Sequence, residues 1–292
     1  MNSLFGGIFV KILIFTLFTS GRAATFTDGG PIDNNSTRYA ESRVVNGLPA
    51  GPTDFPNHVF ITVYGGLLGL EIINYCSGSI IGSGPLSRWV LTAGTCIVTD
   101  ILQLGSYLLE AGINEEGVAE QTVGAFWFNS FRHPGYTDLA TNNIGLIKTN
   151  TPFVTSNYVK PIQVAPISWS GPAVMSGIKG TGAGFGYVTN TGPSSNTLLK
   201  AELTVIPQTD CSNRYEYSFP NSVYCAESTA TPRQALCRFD VGTALVVVSR
   251  GVRVQSGIFI FFSEDGCTTD PNGFTNVGNY NDWIKLIMDR NP

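Results

Sequence analysis

The stretch CRFDVGTALVV, residues 237–247, sets a cysteine, an aspartate three residues on and a glycine two further ahead of an apolar run. The run reads as a strand, and the Gly-punctuated segment before it reads as a turn. Between Asp240 and Gly242 stands Val241, which offers only methyl groups.

Similar strand-like runs recur on either side between turn signals: HVFITVYG, GSIIGSG, RWVLTAG, NNIGLIK, YVKPIQVA, KAELTVIP, TALVVVS and QSGIFIFF. Their spacing predicts a β-barrel or sandwich rather than a βαβ fold. The composition agrees. With 33 Gly and 16 Pro in 292 residues, turns are frequent, and 43% hydrophobic against 13% charged residues supplies a substantial core. The sequence predicts one helix, at the end, where NYNDWIKLIMD aligns Trp283, Ile284, Ile287 and Met288 on a single docking stripe.

A formal charge of -4 leaves no electrostatic footprint for nucleic acid or an anionic membrane surface. Residues 1–24 combine a short apolar core, Leu4 to Phe18, with small residues at Gly21, Ala23 and Ala24, which reads as a secretory signal peptide. No later segment is long enough to span a bilayer as a helix. Residues 25–43 are polar and turn-rich, a flexible pro-segment carrying the chain's two N-x-[ST] sequons at Asn34 and Asn35. Six cysteines in a secreted chain imply three disulfides, with fifteen connectivities open to sequence alone. No cofactor or metal is implied, since there is no C-x-x-C pair and only His58 and His133 could assist.

Seven segments in order resemble the trypsin/chymotrypsin family of serine proteases: RVVNG (43–47), WVLTAGTC (89–96), NNIGLIK (142–148), GAGFG (182–186), NTLLKAELTVIPQTDC (196–211), the 237–247 stretch and GFTNVGNYNDWI (273–284). The resemblance runs from about Arg43 to the C-terminus and implies an all-β domain over 44–292, two antiparallel six-stranded β-barrels with a short C-terminal α-helix. It implies the pairings Cys76–Cys96, Cys211–Cys225 and Cys237–Cys267. It also implies activation by cleavage after Arg43, the freed amino group of Val44 folding inward onto Asp240.

Against the family's pattern, all three catalytic positions have changed. Val241 stands where the nucleophilic serine belongs, Thr95 where the histidine base belongs, and Asn143 where an aspartate orients that base. Acyl transfer needs a hydroxyl nucleophile, an imidazole and a carboxylate. Neighbours pin each position: Cys96 follows Thr95, and Asp240 with Gly242 brackets Val241. Neither histidine falls at a base-like position, so both read as exposed or satisfied structural residues. The cleft departs too. Phe239 replaces a glycine of the oxyanion loop, Ile260, Phe261 and Phe262 replace the Ser-Trp-Gly wall, and Ala235 leaves the base of the specificity pocket uncharged.

The expectation is a secreted, non-catalytic serine protease homologue, similar to secreted arthropod members. It would act by binding extracellular proteins (proteases, proenzymes or inhibitors) as a cofactor or regulator of a protease cascade, with no nucleic acid or membrane partner. The alternatives are an active endopeptidase with an atypical site and a decoy that binds substrates or inhibitors without turnover.

Overall fold

The computed structural model describes residues 44–65, 71–99, 105–113, 118–186 and 197–292. The expected signal peptide 1–24 and the pro-segment 25–43, with Arg43, Asn34 and Asn35, lie outside the described residues. A short strand, β1 (Leu48–Pro49), precedes two antiparallel sheets that follow one another along the chain. The first contains β2 (His58–Gly65), β3 (Glu71–Ile81), β4 (Leu86–Thr92), β5 (Ser106–Ala111), β6 (Gln121–Phe126), β7 (Ser130–Arg132) and β8 (Gly145–Val154), in the order β6-β5-β2-β3-β4-β8-β7.

Strand β5 shows why these residues make a half-buried sheet. Tyr107, Leu109 and Ala111 are buried while Ser106, Leu108 and Glu110 between them are not, the period of two that puts alternate side chains on opposite faces. Among the described residues this sheet curls into a half-barrel, with β6 and β7 at its edges. Its seam between β6 and β8 is held by a side chain. Gln121 donates from Nε2 to the Val154 carbonyl at 2.7 Å and accepts from the Val154 amide at 2.8 Å, copying a ladder pair.

The second half does close. Strands β10 (Lys179–Gly184), β11 (Leu199–Val205), β12 (Val223–Glu227), β13 (Ala244–Ser249), β14 (Val252–Phe261) and β15 (Asn272–Asn276) run β11-β10-β13-β14-β15-β12, and β12 pairs back onto β11. The two-residue strand β9 (Gln163–Val164) pairs in parallel with β14, a small remnant of the strand expected over 158–165. The expected C-terminal helix is α3 (Asn281–Arg290), with Ile284 at 2% exposure and Trp283, Ile287 and Met288 packed against the main core. The sequence reading missed β1, β5, β6, β7, β10, β12, β15 and the helices α1 (Pro172–Met175) and α2 (Gln208–Tyr215).

One apolar cluster crosses from the first sheet, through Ile61, Leu91, Leu109 and Leu146, to Ala183, Val246 and Ile258 in the barrel, and a second fills the barrel around Tyr224, Phe259 and Phe274. Buried polar bonds tie the halves together: Ser79 Oγ to Gln255 Oε1 at 2.5 Å, and Thr275 Oγ1 donating to the Asn143 carbonyl at 2.8 Å. Unpaired, such groups would each penalise burial by about 1–3 kcal/mol. Cys76–Cys96, Cys211–Cys225 and Cys237–Cys267 are all bonded, with separations of 20, 14 and 30 residues. Each loop of that size restricts the unfolded chain by about 3 kcal/mol. Among the described residues, no helix is long and apolar enough to cross a membrane.

Candidate functional site

The loop after Cys237 turns back on itself through Asp240. The aspartate is fully buried and accepts from the amides of Gly186 (Oδ1, 2.7 Å) and Cys237 (Oδ2, 2.9 Å). Burial pushes its carboxyl up to about 7, against the downward pull of those two amides. Among the described residues no cation pairs with it. The stretch GAGFG is built around this carboxylate: a Cβ on Gly184 or Gly186 would overlap an Asp240 oxygen. Val44 is also fully buried, packed with Leu199, Ala201 and Leu236, while Val45 accepts a bond from the Ala235 amide at 3.1 Å.

Either side of Asp240 the backbone is left-handed, at Phe239 (φ 71°) and Gly242 (φ 97°). A Cβ on Gly242 would run into the Ser77 carbonyl, so only glycine fits there. Phe239 bears the steric penalty of a bulky residue at positive φ, of order 1–2 kcal/mol, and its ring meets Tyr75 edge-on at 5.2 Å.

The three positions that the resemblance assigns to the triad come together. The Thr95 amide donates to Asn143 Oδ1 at 3.0 Å, and Asn143, fully buried, donates from Nδ2 to the Leu139 carbonyl at 2.9 Å. Val241 lies across the same cleft as Thr95, its carbonyl accepting from the Ser77 amide at 2.8 Å. The Thr95 hydroxyl is buried with no hydrogen-bond partner among the described residues, and nothing basic reaches it.

This cleft encloses about 830 Å³ and is lined also by Tyr75, Phe239, Ile260, Phe261 and Phe262. Phe262 packs onto the small cluster of Val45, Ala235, Cys237 and Cys267, over the base of the implied specificity pocket, where Ala235 is 3% exposed. Phe261 lies over the bare backbone of Gly273, its partner across the sheet, with its ring stacked on Phe219 at 5.2 Å. Ile260 is buried in the wall.

His133 accepts from the Gly135 amide through Nδ1 and packs edge-on to Tyr280, a satisfied structural position. His58 differs from the expectation. It is buried against Phe185, its Nε2 has no partner among the described residues, and burial lowers its pKa to about 4. Phe185, far away in sequence, packs against it at a centroid distance of 5.9 Å, a long-range contact that its own neighbours in sequence do not announce. Among the described residues no group of His, Cys, Asp and Glu is arranged to hold a metal ion.

The sequence reading also missed the outer part of the cleft, where α2 ends, Tyr215 and Phe219 stand against Phe261, and Tyr217 packs on Phe219. The aromatic alternation of YEYSF, residues 215–219, was the available signal.

A curled half-barrel and a closed barrel, meeting at a cleft floored by the 237–242 loop, define a trypsin-like fold. The chain belongs to the trypsin family, whose model matches residues 44–284. Among solved structures it is similar to one titled HL collagenase, at 22% identity and a TM-score of 0.69, with 84% of this chain and 98% of that one covered. At that identity the likeness speaks for the fold.

Proposed function

We propose that this chain is a secreted, non-catalytic member of the trypsin family that acts by binding other extracellular proteins, as a cofactor or regulator of a protease cascade. The carrying observation is Val241, which stands between Asp240 and Gly242 in the loop that floors the cleft, its carbonyl anchored to the Ser77 amide. Thr95, directly across the cleft, has no basic group at its hydroxyl, and Asn143 carries no charge. A methyl group cannot attack a carbonyl, and a threonine hydroxyl cannot serve as a general base near neutral pH. The apolar start and the three disulfides support secretion.

Cleavage after Arg43 is the regulatory event this reading favours, because the buried Asp240 lacks a cation among the described residues and a freed Val44 amine would supply one. The test exposes the purified protein, uncleaved and cleaved after Arg43, to a fluorophosphonate probe and a panel of peptide esters. Neither labelling nor hydrolysis is expected. Hydrolysis that disappears on changing Thr95, Asn143 or Val241 would overturn the reading.

A further inference from the structure

Three buried side-chain polar atoms have no hydrogen-bond partner among the described residues: His58 Nε2, Thr95 Oγ1 and Arg132 Nε. Folded proteins leave few such atoms unpaired, because each has given up water without a replacement. Two of the three belong to side chains that line one chamber of about 280 Å³. This chamber adjoins the main cleft, with Asn74 and Thr95 as the wall they share, but none of Phe239, Val241 and Phe262 lines it.

Local structure brings the two side chains here. The tight turn Gly94–Cys96, closed by the Ile97 amide on the Gly94 carbonyl at 3.1 Å, carries Thr95, and the Cys76–Cys96 bond pins the turn to β3. Arg132 ends β7 and reaches the same turn, where Nη2 donates to the Ile97 carbonyl and the guanidinium lies 4.7 Å from the centre of the Tyr136 ring. These two contacts fix the guanidinium and leave its Nε without a partner.

Arg132 is the only charged side chain among the described lining residues, and among the described residues no carboxylate pairs with it. Most of the remaining wall is apolar, from Val63, Ile73, Ile97 and Val98. Val63 and Ile97 are buried, while Ile73 is 45% exposed and stands with the exposed Asn74 at the mouth. A guanidinium is weakly hydrated and its fork matches a carboxylate, and apolar surroundings strengthen that attraction.

We propose that this chamber is a binding site for a small monocarboxylate with a short branched apolar tail, an ion of the size of isobutyrate. The carboxylate takes the Arg132 guanidinium and the Thr95 hydroxyl, and the tail packs on Val63, Ile73, Ile97 and Val98. Both polar atoms lie just under the chamber wall, and a turn of the threonine about its Cα–Cβ bond brings the hydroxyl to the open side. The site goes beyond the protein-binding role proposed above and does not rest on it.

Isothermal titration calorimetry of the full, disulfide-intact chain at neutral pH and fixed ionic strength tests this with four probes. They are sodium isobutyrate; isobutyramide, which keeps the shape and removes the charge; sodium phosphate, which has charge and no tail; and acetyl-Gly-Val, which carries the carboxylate and tail on a peptide end. Isobutyrate should bind about tenfold more tightly than isobutyramide, and more tightly than the other two. Arg132→Gln should abolish that binding, and Thr95→Val, which keeps the shape and removes the hydroxyl, should weaken it several-fold. Arg132 also bonds the Ile97 carbonyl, so Thr95→Val carries the decision if the arginine variant fails to fold. Without ligand its urea midpoint should equal or exceed that of the wild type, because the hydroxyl it removes is unpaired. The proposal is overturned by equal binding of isobutyrate and isobutyramide, by no binding, by phosphate or acetyl-Gly-Val binding more tightly than isobutyrate, or by full affinity in Thr95→Val. A lowered midpoint of ligand-free Thr95→Val would overturn it too, by showing that the hydroxyl already has a partner.

Discussion

Replacing Asp240 with asparagine, or His58 with glutamine, should tilt the stability profile between pH 4 and 7 in opposite directions relative to wild type. His58 is neutral in the folded protein, with a pKa lowered from 6.5 to about 4 by burial. The unfolded chain therefore holds more protons at this site between those values. Stability from this group is complete above pH 6.5 and is lost as pH falls through 4. Asp240 works in the other direction. Burial raises its carboxyl from 3.8 to about 7, so between those values the folded protein holds the extra proton. Its contribution is complete below pH 3.8 and is lost as pH rises through 7. At about 1.4 kcal/mol per pKa unit, the histidine accounts for about 3 kcal/mol and the aspartate for about 4 kcal/mol, over almost the same window with opposite sign.

In the uncleaved chain the two nearly cancel. Without Asp240 the protein should gain about 3 kcal/mol of stability from pH 4.5 to 7; without His58 it should lose about as much. Urea unfolding of the disulfide-intact protein at half-unit pH steps measures this, read as the slope of each variant against wild type. Slopes, not absolute values, matter, because an asparagine amide facing the Cys237 and Gly186 amides adds a penalty that is independent of pH. Burial lowers His133 as well, but this residue is common to all three proteins and drops out of the difference. Parallel profiles for wild type and the Asp240→Asn variant would refute the reasoning. If cleavage after Arg43 seats an amine on Asp240, the wild-type curve of the cleaved form should instead rise with pH, because a cation at the carboxylate reverses the sign of its shift.

Restoring the triad with Thr95→His, Asn143→Asp and Val241→Ser should not produce ordinary trypsin-like activity, because Phe262 still covers Ala235 and Phe239 still occupies the oxyanion loop; brisk turnover of a small ester would show the obstruction argument to be mistaken. Gly186→Ala places a methyl group on Asp240 Oδ2 and the Arg238 carbonyl, and should destabilise by about 3 kcal/mol or more in urea unfolding, with a loss below 1 kcal/mol counting against the packing described here. Gln121→Ala removes the two bonds that bridge the seam of the half-barrel, at about 1 kcal/mol for partly exposed groups, and should raise hydrogen exchange at the Val154 amide while leaving the closed barrel's amides unchanged.

What could be read from the chain follows from how local each determinant is. The loop around Val241 was legible because several constraints fall on a few adjacent residues and leave their mark in residue type. Cys237 is tethered to Cys267, Gly242 must be glycine beneath Ser77, and Asp240 folds back within three residues onto the Cys237 amide. Strands β13 and β14 announced themselves as β-branched and aromatic runs, whereas β10, Lys-Gly-Thr-Gly-Ala-Gly, has almost no side chains to signal with. It is a strand because Leu236 and Leu245 fill the space its glycines leave and Asp240 needs room at its end, all demands imposed from distant parts of the chain. The open seam of the first sheet, the burial of His58 and the chamber beside Thr95 share that origin, since each is assembled from segments far apart in sequence.

The same distinction separates what the cleft has kept from what it has changed. Asn143 still offers an acceptor to the Thr95 amide, a bond that positions the backbone and requires no charge. Val241 still gives its carbonyl to Ser77, a bond indifferent to the side chain. Asp240 still takes its two amides, and Gly184 and Gly186 still make room for it. Each retained feature carries part of the fold, and removing it would leave a buried polar group unpaired at about 1–3 kcal/mol. On the proposed reading, the groups missing from the cleft, a hydroxyl at 241, an imidazole at 95 and a negative charge at 143, are ones that matter to acyl transfer and to little else. A cleft whose buried frame is fixed by backbone and disulfide bonds can hold a defined shape for recognition whatever side chains stand at 95, 143 and 241, and the aromatic residues beyond Phe262 are where that cleft remains open.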